Sequence, residues 1–205
     1  MFPLFLLFLL VSTSLSQLTS QQKQTIIDYH NELRNQIASG LLTPPKFSSS
    51  SNIAELVWDE KLGRLAQAFA DKAIFSHNPS RTVPELPGYI GENIYWSSFY
   101  GTVNKFDVKS AINSWFNEHK DFTLPSLVFL QSGKSIGHFT QIAWATTKRV
   151  GCGLKTVLKG TNYQNYFVCD YHNGGNFLGQ KIYDTGIPCS KCKCSSKWTN
   201  LCVSA

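Results

Sequence analysis

The first regular pattern in the chain opens at Thr19-Ser20-Gln21-Gln22, where a Thr followed three residues later by Gln can cap a helix reciprocally. Behind it Ile26, Tyr29, His30, Leu33 and Ile37 recur at helical spacing, and Gly40 closes the run. Thr43-Pro44-Pro45-Lys46 and the serines 48–51 read as a long loop. A second helix is expected from about Asp59, with Leu62, Leu65, Ala66, Phe69, Ala70 and Ala73 forming one apolar stripe. Pro79, Pro84, Pro87 and Gly88 then impose an irregular stretch, and a third helix is expected from about Asp107 to Lys120, burying Ala111, Ile112, Trp115 and Phe116. After it the period changes. His138, Thr140, Ile142 and Trp144 alternate with their neighbours as in a strand. Val150–Leu158 and Tyr163–Tyr171 are further strand candidates around the turn Lys159-Gly160-Thr161-Asn162. Helices early and strands late suggest an α+β domain whose helices cover a largely antiparallel sheet.

Two stretches stand apart from this pattern. Phe2–Val11 is apolar except for Pro3, too short for the about 20 residues that a membrane-spanning helix needs. Ser14 and Ser16 follow it with the small-residue spacing of a signal-peptidase site, so residues 1–16 are expected to be a signal peptide, with residues 17–185 the domain. Residues 186–205 read as a Cys-rich extension introduced by Pro188. Export gives meaning to the six cysteines, Cys152, Cys169, Cys189, Cys192, Cys194 and Cys202: an even number in an oxidising compartment is expected to form disulfides, with the pairing left open.

Charge is placed unevenly. Of 205 residues, 1–144 carry eleven basic and eleven acidic side chains, and 145–205 carry eight basic against Asp170 and Asp184. A secreted basic end can attract acidic glycans or an anionic membrane surface, or be an ordinary solvated face. Nucleic acid is disfavoured, since no recognition motif accompanies the charge. With 42% apolar and 16% charged residues, a disordered chain is excluded. Asn78-Pro79-Ser80 carries the proline that bars N-glycosylation, and no other acceptor triplet exists.

Local motifs do not reveal a site. Gly133-Lys134-Ser135-Ile136-Gly137 has the letters of a nucleophile elbow, but an elbow needs a helix after the serine and a strand is expected there. Val128 stands where a P-loop requires glycine. Five histidines (His30, His77, His119, His138 and His172) remain, and their spacing does not say which converge.

Longer segments carry more. Gly137-His138-Phe139-Thr140-Gln141-Ile142-Ala143-Trp144 resembles the signature of the CAP superfamily, the cysteine-rich secretory proteins, antigen-5 venom allergens and plant pathogenesis-related class 1 proteins. His30-Asn31-Glu32-Leu33-Arg34, Gly91-Glu92-Asn93-Ile94, Trp115-Phe116-Asn117-Glu118 and Tyr166–Tyr171 with Gly175-Asn176-Phe177 agree in order, so the likeness spans Leu18 to Asp184. It implies a three-layer α-β-α sandwich and a cleft tetrad of His77, Glu92, Glu118 and His138. His77 and His138 are the expected ligands of zinc or another divalent cation, with the carboxylates orienting the rings; a metal-free, water-filled tetrad is the alternative. The resemblance also implies a Cys152–Cys169 bridge, which leaves the four tail cysteines for two more. Asp170 stands where the family usually has Asn and Asn173 where it commonly has Pro, and both are expected to touch the sheet edge rather than the tetrad. The aromatic-rich loop linked to sterol binding in some members has no clear equivalent in Asp121–Gly137. The function expected from this likeness is that of a secreted binding or effector protein, venom-allergen-like or directed at a host or at defence. Its partner would be an unknown protein target or a small lipid, with no catalytic residue assigned. The alternative is a zinc-dependent hydrolase or protease using the same tetrad.

Overall fold

The structure, a computed structural model, describes residues 17–44, 46–101, 106–123, 127–130 and 135–204. The expected signal peptide, residues 1–16, lies outside the described residues. Helix α1 runs Ser20–Ala38, α2 Glu60–Ala70, α3 Val108–Phe116 and α4 Gly137–Ala143; strands are β1 Val57–Trp58, β2 Gly91–Tyr100, β3 Arg149–Lys159 and β4 Asn162–His172. The strands form one sheet in the order β1-β3-β4-β2, antiparallel except for the parallel β1–β3 pair.

Most of this follows from local chemistry. Thr19 and Gln22 cap α1 reciprocally, Gln22 N donating to Thr19 Oγ1 at 3.2 Å and Thr19 N to Gln22 Oε1 at 3.0 Å. Asp59 caps α2 by accepting from Lys61 N and Leu62 N. That helix stops at Ala70, short of the expected Ala73, which adopts a left-handed φ of 50°. The third helix tightens after Phe116 into a 3-10 turn, Asn117–Asp121, which carries Glu118.

Two expectations fail. The segment after Gly137 is the helix α4, not a strand. Phe139 through Ala143 are all buried, so no exposed face distinguishes one period from another. Strand β2 was not expected at all. Its mixed sequence GENIYWSSFY sits at the sheet edge and alternates only in its outer half.

Three layers result. Helix α2 lies on one sheet face, where Ala66, Phe69 and Ala70 pack on Val168 and Ile94. Its backbone sits directly on β3. A Cβ on Gly151 would fall 2.1 Å from Gly63 N, and one on Gly153 would fall 2.3 Å from Gln67 Cα. Side chains at these two positions would separate helix from sheet. On the other face Ile26, Leu33, Ile37, Ile112, Trp115, Phe139 and Ile142 pack on Val150, Leu154, Phe167, Cys169 and Tyr171.

Cys152 and Cys169 are opposite one another on β3 and β4 and form a disulfide. The tail runs beside α1, with Cys202 N donating to Ile53 O, Asn200 N to Asn35 Oδ1, and Leu201 fully buried. Cys192 and Cys202 are bridged, but the second expected tail bridge is absent. Cys189 is instead a thiol directed at Leu201 O, with the thiol of the exposed Cys194 beside it. Burial, and then the Cys194 sulfur, push Cys189 up to about 12, so it stays a thiol rather than a thiolate.

Candidate functional site

The tetrad side chains form two His–Glu pairs, His77 with Glu92 and His138 with Glu118. Glu92, near the start of β2, accepts on Oε1 from His77 Nδ1 at 2.7 Å and from Asn78 N at 2.9 Å, with Arg81 Nη1 at 3.5 Å. Glu118, in the 3-10 turn, accepts on Oε1 from His138 Nδ1 at 2.7 Å and on Oε2 from His138 N and Phe139 N at 2.9 and 3.1 Å. This second carboxylate therefore caps α4, whose own N-cap residue, Ile136, supplies no side-chain acceptor. A negative charge at that terminus also complements the helix dipole.

The two pairs share one chemical consequence. With each carboxylate accepting from Nδ1 of its imidazole, Nε2 is left in each ring as the nitrogen whose lone pair can bind a divalent metal. His138 is steadied further by the Trp115 ring, stacked at 5.9 Å, and by Asn93, whose Nδ2 donates to the His138 carbonyl at 3.1 Å. The same amide donates to the Tyr171 hydroxyl at 3.3 Å, and that hydroxyl meets His30 Nε2 at 2.9 Å. His30 Nδ1 is bound to Ile26 O at 2.8 Å, so a hydrogen-bonded chain runs from α1 to the backbone of His138. Burial lowers His30 to about 4 and keeps the ring neutral.

As donors for zinc the pairs offer two imidazole nitrogens. Glu118 has both oxygens occupied and Glu92 Oε1 is likewise engaged, so the carboxylates fit as orienting groups. Among the described residues no group of three or more His, Cys, Asp or Glu side chains is arranged around one point. By donor chemistry, two imidazoles with water or ligand would make a thinner set than the three protein ligands usual for catalytic zinc.

Ser135 needs a second reading. A helix does follow Gly137, contrary to the ground on which the elbow motif was set aside. Yet Ser135 Oγ donates to Glu118 Oε1 at 3.0 Å, which places a carboxylate, not an imidazole, beside the hydroxyl. That carboxylate oxygen also accepts from His138 Nδ1, so the hydroxyl meets an already engaged carboxylate rather than the imidazole of a serine–histidine pair.

Asp170 corrects another expectation. It is completely buried, in register with Glu92 across β4 and β2 and on the same face, not at a sheet edge away from the tetrad. Among the described residues neither of its oxygens has a hydrogen-bond partner, and the same holds for Glu92 Oε2. Burial, and then the neighbouring Glu92 charge, raise Asp170 well above the usual carboxylate value, Arg81 opposing them. Strand register, which sets this meeting, is invisible in one sequence. An Asp170→Asn variant is expected to be about 1–3 kcal/mol more stable at neutral pH, because an unpaired buried carboxyl is replaced by an amide. The folded chain holds the Asp170 proton more tightly than the unfolded chain does. The wild-type deficit should therefore vanish in acid and grow as pH rises above about 4, as paired urea titrations across pH would show.

Comparison with known proteins agrees with this architecture. The family model for CAP, the cysteine-rich secretory protein family, matches residues 27–171. The chain is 37% identical to Scoloptoxin SSD552 of Scolopendra dehaani, over 90% of this chain and 85% of that protein. It is 34% identical to CRISP/Allergen/PR-1 of Trittame loki over 87% of its own length, but it spans only 45% of that longer protein. Among solved structures it is similar to BmVAL-1, with a TM-score of 0.78 and 29% identity, covering 92% of this chain and 96% of that one. The crystal structure of NaASP2 with Zn2+ gives a TM-score of 0.73 and 27% identity, covering 90% and 96%.

Proposed function

The chain is a member of the cysteine-rich secretory protein (CAP) family, and on that premise we propose that it is a secreted effector of the venom-allergen type that acts by binding, with His77 and His138 holding a divalent cation such as zinc. The observation that carries this reading is the double use of Nδ1, which presents both Nε2 atoms as metal donors. The choice of ion is supported by NaASP2, a structural neighbour crystallised with Zn2+. Bound zinc would supply Lewis acidity and a fixed positive charge at the site; the chain's own groups would orient the rings and stack against them.

Hydrolysis is the weaker reading. A general base must be free to take a proton from water. Glu118 is saturated by two ring or hydroxyl donors and two backbone amides, and the spare oxygen of Glu92 is buried. The target would be a protein or a small lipid. The extracellular setting accords with relatives named as toxins, and among the described residues no helix is long and apolar enough to cross a membrane.

Calorimetric titration with zinc should show one site, weakened about 10-fold or more by either His77→Ala or His138→Ala. Peptide and ester libraries should show no zinc-dependent turnover. Cleavage abolished both by a chelator and by His138→Ala would reverse the assignment in favour of a hydrolase.

A further inference from the structure

The end of the sheet away from Glu92 extends past α2. That helix covers the rows Glu92–Asp170–Gly151 and Ile94–Val168–Gly153. On the same face the next row brings Trp96 and Lys155 to either side of Tyr166, and beyond the row Ser98–Gln164–Val157 come Tyr100 and Lys159 to either side of Asn162. On the reverse face Phe99 stacks on Tyr163 at 5.6 Å, with Leu158 across the register from that tyrosine. The chain leaving α2 adds Ile74 and Phe75, the latter ring 6.3 Å from Trp96.

These side chains are open to solvent: Tyr100 is 82% exposed, Phe75 60%, Leu158 58%, Ile74 54% and Trp96 41%. Scattered exposed apolar residues are ordinary, but here five fall around one end of a sheet, Phe75 and Trp96 in contact and Leu158 on the reverse face. Cations accompany them. Lys159 Nζ lies 3.0 Å from Tyr166 Oη and 5.3 Å from that ring, and Lys72 sits beside Phe69. Residues 93–100 and 153–168 contain no Asp or Glu, and Asp71 close by is matched by Lys155 at 3.5 Å.

We infer that this end of the sheet docks on an anionic lipid bilayer, its aromatic and aliphatic side chains seated at the headgroup boundary and Lys159 and Lys72 among the phosphates. Tyr and Trp are amphipathic and favour that depth, and lysines at its edge meet negative headgroups. A rigid protein surface can cover one face of a sheet. Here exposed apolar groups lie on both faces, and a fluid interface can surround both. The contact falls on the sheet rather than on the basic tail.

The test is co-sedimentation with vesicles of phosphatidylcholine containing phosphatidylserine, with pure phosphatidylcholine vesicles alongside. Wild-type protein should pellet with the mixed vesicles, and more weakly with the neutral ones. Tyr100→Ser with Leu158→Ser should lower partitioning about 10-fold or more, and Lys159→Gln about 5-fold, with thermal unfolding unchanged because all three side chains are exposed. Three results would overturn it. One is wild-type protein staying in the supernatant; another is the double variant binding like wild type while Lys191→Gln, Lys193→Gln and Lys197→Gln together abolish binding. The third is self-association that the double variant removes while vesicles capture nothing, which would give the surface to a second copy of the chain.

Discussion

Arg34→Met should lower the melting temperature by about 10–15 °C. The Arg34 side chain is fully buried, and among the described residues its partners are backbone carbonyls rather than a carboxylate. Its guanidinium instead donates to Ala54 O through Nε at 2.8 Å, to Ile142 O and Trp144 O through Nη1 at 2.6 and 2.9 Å, and to Thr147 O through Nη2 at 3.1 Å. One side chain of α1 thus binds the strand-like segment at Ala54 and the whole connection from α4 to β3. Burial brings it down to about 9, still charged at neutral pH. Methionine would fill much of the space of the stem and leave these carbonyls without donors. Charged hydrogen bonds contribute about 1.5–3 kcal/mol each but do not add, so a total near 4–5 kcal/mol is expected, at about 2–4 °C per kcal/mol for a domain of this size. Arg34→Lys should recover only part of it, because an ammonium cannot span carbonyls placed for a planar fork. A variant that melts within a few degrees of wild type would show that water satisfies those carbonyls.

Glu118→Ala should strike the fold and the site together. The α4 amides of His138 and Phe139 would lose their shared acceptor, costing about 1–2 kcal/mol as for other helix caps. His138 would lose the group that keeps its proton on Nδ1, and zinc affinity should fall about 10–100-fold. Glu118→Gln separates the two effects. Its amide oxygen can still accept from the backbone, so the melting temperature should stay closer to wild type while zinc binding still weakens. Nitrogen chemical shifts of the His138 ring report the tautomer directly. An unchanged ring in Glu118→Ala would mean that Trp115 and Asn93 suffice to hold it.

How far the sequence could be read varied with how local each signal was. Helices α1, α2 and α3 were legible because their caps and stripes lie within a few residues of one another, as Thr19 with Gln22 and Asp59 with Leu62 illustrate. Helix α4 was not, since it is seven residues long and its cap comes from Glu118, about twenty positions earlier. The tetrad residues were identified by resemblance alone. Nothing about residues 77, 92, 118 and 138 taken singly announces two His–Glu pairs, because chain separation hides them. The burial of Asp170 beside Glu92 was missed for a related reason: strand register, not composition, decides which carboxylates meet.

The polar thread between α1 and His138 has only one possible sense. His30 commits one ring nitrogen as donor to the Ile26 carbonyl, so the other can only receive. Tyr171 must therefore aim its hydrogen at His30 and keep its lone pairs for Asn93. Asn93 in turn has to present its nitrogen, not its oxygen, to both Tyr171 and the His138 carbonyl. Reversing any link means protonating an imidazole that burial holds neutral down to about pH 4. The first helix therefore dictates which way an amide more than sixty residues downstream is flipped, and in milder conditions acidity has no purchase on that choice.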